Sequence, residues 1–225
     1  LEHVIVPRKL IEDKSLGDKR VLFYLSISLS HWNGNSIDEL IRFCGYSAKD
    51  KHMNSPRCQL IQAVEDFSSK GYMERSGHCP QLLRPDDRYG KIYVQEFQRI
   101  MDSRRIKSAS TMRFNHAHLL LTLAYIRCHM LPHVGAPRIY SNLIIRIADY
   151  IGISERSVAN CARALEQLDI LHSEELPRYQ DGNGHWHSNV RIFVDKQIYS
   201  KTNHTYDWQN ETQRGIRMIL TNQID

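Results

Sequence analysis

Ile147-Ala148-Asp149-Tyr150-Ile151-Gly152-Ile153-Ser154-Glu155-Arg156-Ser157-Val158, running on to Leu165-Glu166-Gln167-Leu168, is the stretch that decides the fold. Leu143, Ile144, Ile147, Ala148 and Ile151 repeat at helical spacing and predict a helix from about Asn142 to Ile151. Gly152 is where a left-handed backbone is easiest, and Ser154 can cap the helix that follows. That helix, about Glu155 to Leu168, places Val158, Cys161, Ala162, Leu165 and Leu168 on one side. Arg156, Asn160 and Arg163, at steps of four and three, share the other.

Working outward, His116 to Met130 carries Leu119, Leu120, Leu123 and Ile126 at helical spacing and reads as a buried helix. An irregular stretch with Pro132, Gly135 and Pro137 separates it from the next. Downstream lie a β-like segment (Ile170 to Glu174), a turn rich in Asp181, Gly182, Asn183 and Gly184, and a strand from Val190 to Val194. Helix, helix, turn, helix and hairpin is the order of a winged helix.

The first half repeats that order. Leu16 to Trp32 carries Val21, Leu22, Leu25 and Leu29, and Ser36 to Cys44 gives a second helix ending at Gly45. Asn54 or Ser55 can cap a third with Pro56 in its first turn, lined by Leu60, Ile61, Val64 and Phe67. Strands are predicted from Gly71 to Glu74 and from Lys91 to Phe97, around a loop at Asp86 to Gly90. Gly45-Tyr46-Ser47 aligns with Gly152-Ile153-Ser154 at an offset of 107, and Gly71-Tyr72-Met73 with Asp169-Ile170-Leu171 at 98. The difference implies a nine-residue insertion between the second and third helices of the first unit, holding Lys49, Lys51 and His52. The expected fold is mainly α with small β-hairpin wings, as two winged helix-turn-helix units in tandem. Residues 1–98 form the first, 99–115 a basic linker, 116–200 the second, and 201–225 a tail with a short helix around Arg214 to Leu220.

Composition narrows the classes. Apolar content of 41% with 24% charged residues is that of a globular chain, which argues against disorder. A net charge of +5 suits a polyanion partner without requiring one. Five cysteines without a CxxC pair read as free thiols in a reducing compartment. The densest apolar stretch, Leu119 to Ile126, is too short for a bilayer, and no secretory pattern opens the chain, so the cytoplasm is the expected location.

The segment from Ile147 to Val158, with Leu165 to Leu171, resembles the core of bacterial winged-helix DNA-binding domains. In those domains a recognition helix follows such a turn and an apolar step leads into the wing. Val6-Pro7, Leu16-Gly17-Asp18-Lys19-Arg20-Val21 and Gly71-Tyr72 resemble the N-terminal domains of Firmicute plasmid and phage replication initiators or replisome organisers. The resemblance implies initiation or control of mobile-element replication. Transcription regulators share the fold, and a protein-interaction module of a replication complex is the alternative of another class. The partners expected are double-stranded DNA, replication proteins and a second copy of the chain, with no membrane and no cofactor.

Arginine can engage guanine with two hydrogen bonds, and asparagine can do the same with adenine, which makes Arg156, Asn160 and Arg163 candidate base readers. Ser154 and Ser157 could meet phosphate at the helix N-terminus. In the wing, Arg178, His185, Trp186, His187 and Arg191 are candidates for a minor groove or backbone contact, unless Trp186 folds back onto the core. In the first unit Cys58, Gln62 and Glu65 occupy the corresponding face, so Lys49, Lys51 and Arg57 are the DNA candidates there, with protein contact the other reading. Arg104 and Arg105 of the linker either follow phosphate or are simply solvated.

Catalytic readings are weak. His185-Trp186-His187 matches the His-apolar-His pattern of nicking enzymes, with Tyr199 and Tyr206 as available nucleophiles, but nothing predicts the sheet that pattern needs. His78-Cys79 and Cys128-His129 with His133 lack the paired spacing of structural zinc. Gly182-Asn183-Gly184 lacks the Gly-Lys-Ser/Thr of a phosphate loop, and Asp86-Asp87 reads as a solvated loop. The chain is expected not to be an enzyme.

Overall fold

The segment His116–His129 has almost no polar face to offer water. Leu119, Leu120, Leu121, Leu123, Ala124 and Ile126 are all fully buried, and a helix apolar on every side must be surrounded. The computed structural model describes residues 3–32, 34, 36–50, 52–74, 88–103, 115–130, 138–196 and 207–221. In chain order these form β1 (His3–Pro7), α1 (Arg8–Glu12), a 3-10 turn (Lys14–Leu16), α2 (Arg20–Leu29), α3 (Ile37–Phe43) and α4 (Pro56–Ser69). Next come β2 (Tyr89–Tyr93), α5 (Val94–Asp102), α6 (His116–His129), β3 (Ile139–Leu143), α7 (Ile144–Ile151) and α8 (Glu155–Gln167). The chain continues with β4 (Leu171–Glu175), β5 (Tyr179–Gln180), β6 (Trp186–His187), β7 (Val190–Asp195) and α9 (Trp208–Leu220). The described residues are thus mainly helical, with small antiparallel sheets paired β1-β2, β3-β7-β4 and β5-β6.

Helix α6 packs on α2, α1, α5 and β2 from the first half and on α7 and α8 from the second. One continuous apolar core therefore runs from Val4 to Phe193 through both halves. The strand β7 divides its side chains by the two-residue period of extended chain. Phe193 enters this core, while Val190, Ile192 and Val194 turn to the opposite face, where Ile219 of α9 covers them.

Two buried arginines tie the halves together. Arg127 of α6 sits in a bidentate pair with Glu96 of α5 (2.6 Å for each bond), donates to Asp195 at the end of β7 (2.9 Å) and to the Lys91 carbonyl of β2 (2.8 Å). Burial disfavours its charged form, yet Asp195 and Glu96 outweigh that and hold its pKa above the ordinary guanidinium value. Arg20 of α2 donates to the carbonyls of Leu10, Ile11 and Gly17 and, across the halves, to that of Ile151 at the end of α7 (2.8 Å). Burial lowers its pKa to about 10, so the guanidinium stays charged and finds its compensation in carbonyl dipoles. Gly90 allows the closest approach, since a Cβ there would lie 2.3 Å from the Ala124 carbonyl oxygen on α6.

The first half contains α2, α3 and α4 in the order that α6, α7 and α8 follow in the second. The link between α3 and α4 occupies twelve residues (44–55) against three (152–154) between α7 and α8. Both α4 and α8 carry serine N-caps, Ser55 and Ser154. Ile37–Phe43, capped by Ser36, lies within the helix read from the sequence, and α9 extends the expected tail helix back to Trp208.

Three expectations are corrected. Gly71 to Glu74 is no strand: Gly71 takes φ +73°, and the Tyr72 and Met73 amides fold back onto the Phe67 carbonyl to close α4. The strand read over Lys91 to Phe97 lies at Tyr89–Tyr93, because Glu96 reaches back to the Tyr93 amide and starts α5, which runs to Asp102 into the span read as linker. The helix read from Asn142 starts at Ile144, since Ile139–Leu143 pairs with β7 as β3. Of the loop read from Asp86 to Gly90, Tyr89 and Gly90 belong to β2; its Asp86 and Asp87, most of the linker and the Pro132 to Pro137 stretch lie outside the described residues. No described helix is long and apolar enough to cross a membrane.

Replacing Arg127 by Met strands two buried carboxylates and is expected to cost about 3–5 kcal/mol in urea unfolding. The Gly90→Ala variant is expected to lose about 1–3 kcal/mol by overpacking against α6; wild-type midpoints in both variants would contradict the shared core.

Candidate nucleic-acid interface

The turn between α7 and α8 is built as its sequence requires. Gly152 takes φ +76°, and its amide and that of Ile153 both return to the Ala148 carbonyl, at 2.8 and 3.2 Å. Ser154 then caps α8, its Oγ accepting from the Ser157 amide at 3.2 Å and lying 2.9 Å from the Ser157 hydroxyl. The inner face of α8, Val158, Cys161, Ala162, Ala164 and Leu165, is buried. Burial pushes the Cys161 thiol up to about 12, as it does Cys44 and Cys128, so these free thiols are inert packing groups.

On the outer face Arg156 and Arg163 are exposed and Asn160 is half-buried. Arg163 is already oriented: its Nη2 donates to Asn160 Oδ1 at 2.7 Å, and its Nε reaches the Ala159 carbonyl at 3.5 Å. Two acidic residues, Asp149 and Glu155, are exposed nearby in the chain, so the face is cationic only where the arginines stand.

The β5–β6 hairpin is organised by a residue that sequence reading assigned to the turn alone. Asp181 Oδ1 accepts from the Asn183 and His185 amides at 3.0 and 2.8 Å, and its Oδ2 meets His187 Nε2 at 2.9 Å and His185 Nδ1 at 3.5 Å. The His187 hydrogen bond, then that from the His185 amide, holds the carboxyl at about 2. Trp186 does not fold onto the core: it is 61% exposed, with the Arg178 guanidinium 4.6 Å above its ring. Tyr179 stacks on His187 from the neighbouring strand. Arg191, in contrast, spends a donor across the sheet on the Ser173 hydroxyl at 3.3 Å.

In the first half Lys49 is exposed on the long α3–α4 connection, but Arg57 is held by Asp38 at 3.0 Å, and Glu65 is exposed on α4. Lys51, Arg104 and Arg105 lie outside the described residues, as do Tyr199, Tyr206, His78, Cys79 and His133. Lys14 escaped sequence reading. Its exposed side chain lies beside Gly152, brought to the α7–α8 turn by the clamp of Arg20 on Ile151. No signal in the sequence links positions so far apart.

The depressed Asp181 pKa means that its contribution to the order of the β5–β6 hairpin is full above the ordinary carboxylate range and is lost as pH falls through about 2. An NMR titration is expected to place its midpoint near that value. In His187→Ala the midpoint should rise and the Asn183 and His185 amides should exchange faster; an unchanged midpoint would remove His187 from the account.

Comparison of the chain with protein-family models, with curated proteins and with solved structures returns no match in any of the three.

Proposed function

We propose that this chain binds double-stranded DNA, with α8 lying in the major groove and the β5–β6 hairpin against the adjacent backbone or minor groove. The observation that carries the reading is the division of α8. Arg156, Asn160 and Arg163 line one face while the opposite face is buried. The order α6, β3, α7, α8, β4, β7 with sheet order β3-β7-β4 supports a winged-helix reading, in which the β5–β6 hairpin with exposed Trp186 and Arg178 would serve as the wing. The first half, with its own three helices in the same order, is the second member of a tandem. Its role is auxiliary contact, since Arg57 is paired and Glu65 faces out.

The biological setting proposed is initiation or control of mobile-element replication in the cytoplasm, which the first-half resemblance favours; transcription control uses the same face. A protein-interaction module is favoured by a different observation, the exposure of Ile145 and Tyr150 on α7. The proposed role is one of binding, without catalysis.

A mobility shift on duplex DNA separates the readings. Wild type is expected to bind with an affinity that falls steeply as salt rises. Arg156→Ala with Arg163→Ala should weaken it by ~100-fold, two bidentate base contacts being worth about 1–3 kcal/mol each. Trp186→Ala should weaken binding without changing the preferred sequence. Undiminished binding by the double arginine variant would show that α8 is not the reading helix.

A further inference from the structure

We infer that Asn160 is a positioning residue rather than a base reader, and that α8 selects duplexes carrying two guanines about three base pairs apart. This rests on the DNA-binding reading above and adds to it what the helix recognises.

A guanidinium has five N–H donors arranged along distinct edges. In Arg163 the edge formed by Nε and Nη2 is turned to the helix itself, towards the Ala159 carbonyl and Asn160 Oδ1. The edge left for a ligand is the pair formed by Nη1 and the second hydrogen of Nη2. Two parallel donors on one planar edge match the O6 and N7 acceptors that guanine presents in the major groove. The contact with Asn160 fixes that edge before any base arrives, so the side-chain entropy of a long arginine is lost on folding rather than on binding.

The same contact disqualifies Asn160 as an adenine reader. Reading adenine with two bonds needs its oxygen to accept from N6 while its amide donates to N7. That oxygen already accepts from a charged donor at 2.7 Å. Turning it to adenine would exchange a charge-assisted hydrogen bond for a neutral one, which is the weaker of the two. The side chain is also half-buried, between two exposed arginines, and so stands further back from a ligand.

Arg156 is the second reader. It is exposed one turn before Asn160 and has no protein partner among the described residues. Arg156 and Arg163 are seven residues apart, close to two full turns, and so share a face with a rise of about 10.5 Å between them. Base pairs stacked 3.4 Å apart put about three steps in that distance for a helix following the groove.

Selection from a random duplex library by the full chain, followed by sequencing, tests the inference. The wild-type pool is expected to be enriched in two guanines about three steps apart. Asn160→Asp keeps the acceptor and removes the amide donor, so both guanine preferences should persist even though the added negative charge lowers overall affinity. Asn160→Ala should reduce the preference at one guanine by about tenfold and leave the other intact, and Arg156→Ala should do the reverse. An adenine preference that disappears in Asn160→Asp, or guanine preferences indifferent to Asn160→Ala, would overturn the inference while leaving DNA binding in place. Failure of the wild type to retain any duplex at low salt would overturn the DNA-binding reading, and this inference with it.

Discussion

Arg127, buried beside Glu96 and Asp195, is the constraint on which the arrangement of the two halves depends. A guanidinium out of water is costly unless its charge is answered; here the partners of Nη1 and Nη2 come from separate parts of the chain, while Nε is buried without one among the described residues. Glu96 belongs to α5, the Lys91 carbonyl to β2, Asp195 to β7, and Arg127 itself to the central helix. None of these elements can shift without exposing a charge to an apolar surrounding. Apolar packing around α6 supplies most of the favourable free energy, but it is non-directional; the ion cluster sets how the halves are registered.

That registration reaches the proposed DNA face through backbone carbonyls. Arg20 holds the end of α7 by the Ile151 carbonyl, and Arg99 of α5 holds the end of α8 by the Leu168 carbonyl at 2.8 Å. The α7–α8 pair is therefore gripped from the first half of the chain at the C-terminal end of each helix. A helix held in this way carries its outer side chains as part of one packed core, and Arg163 is fixed in turn by its neighbour. The net charge of +5 is modest, and several cations are spent internally, among them Arg20, Arg57 and Arg127. What distinguishes the α8 face is the placing of its charge and not the total.

Much of this was legible in the chain. The period of α8, the glycine turn and the Ser154 cap are local features, and local features write themselves into adjacent residues. The α3–α4 connection is nine residues longer than the α7–α8 one, the length difference that comparing the two halves of the sequence suggests. The strands β1 and β3 could not, because each takes its shape from a partner distant in sequence, Tyr89–Tyr93 for one and Val190–Asp195 for the other. The first turn of α5 reads as a continuation of the strand since Val94 and Phe97 suit extended chain, and the buried pairing of Glu96 with Arg127 sets the helix there. The Asp181 cluster, Lys14 beside Gly152 and the bond between Arg163 and Asn160 depend on side-chain geometry that spacing does not encode.

The central claim is that the outer face of α8, with the wing beside it, is where duplex DNA lies. Amide chemical shifts recorded across the whole chain during addition of a duplex test it most directly. The account expects the largest changes at Ser154 to Arg163 and at Tyr179 to His187, with α9 unaffected. Changes concentrated on α9 or on the exposed side of α7, with α8 and the wing silent, would contradict it.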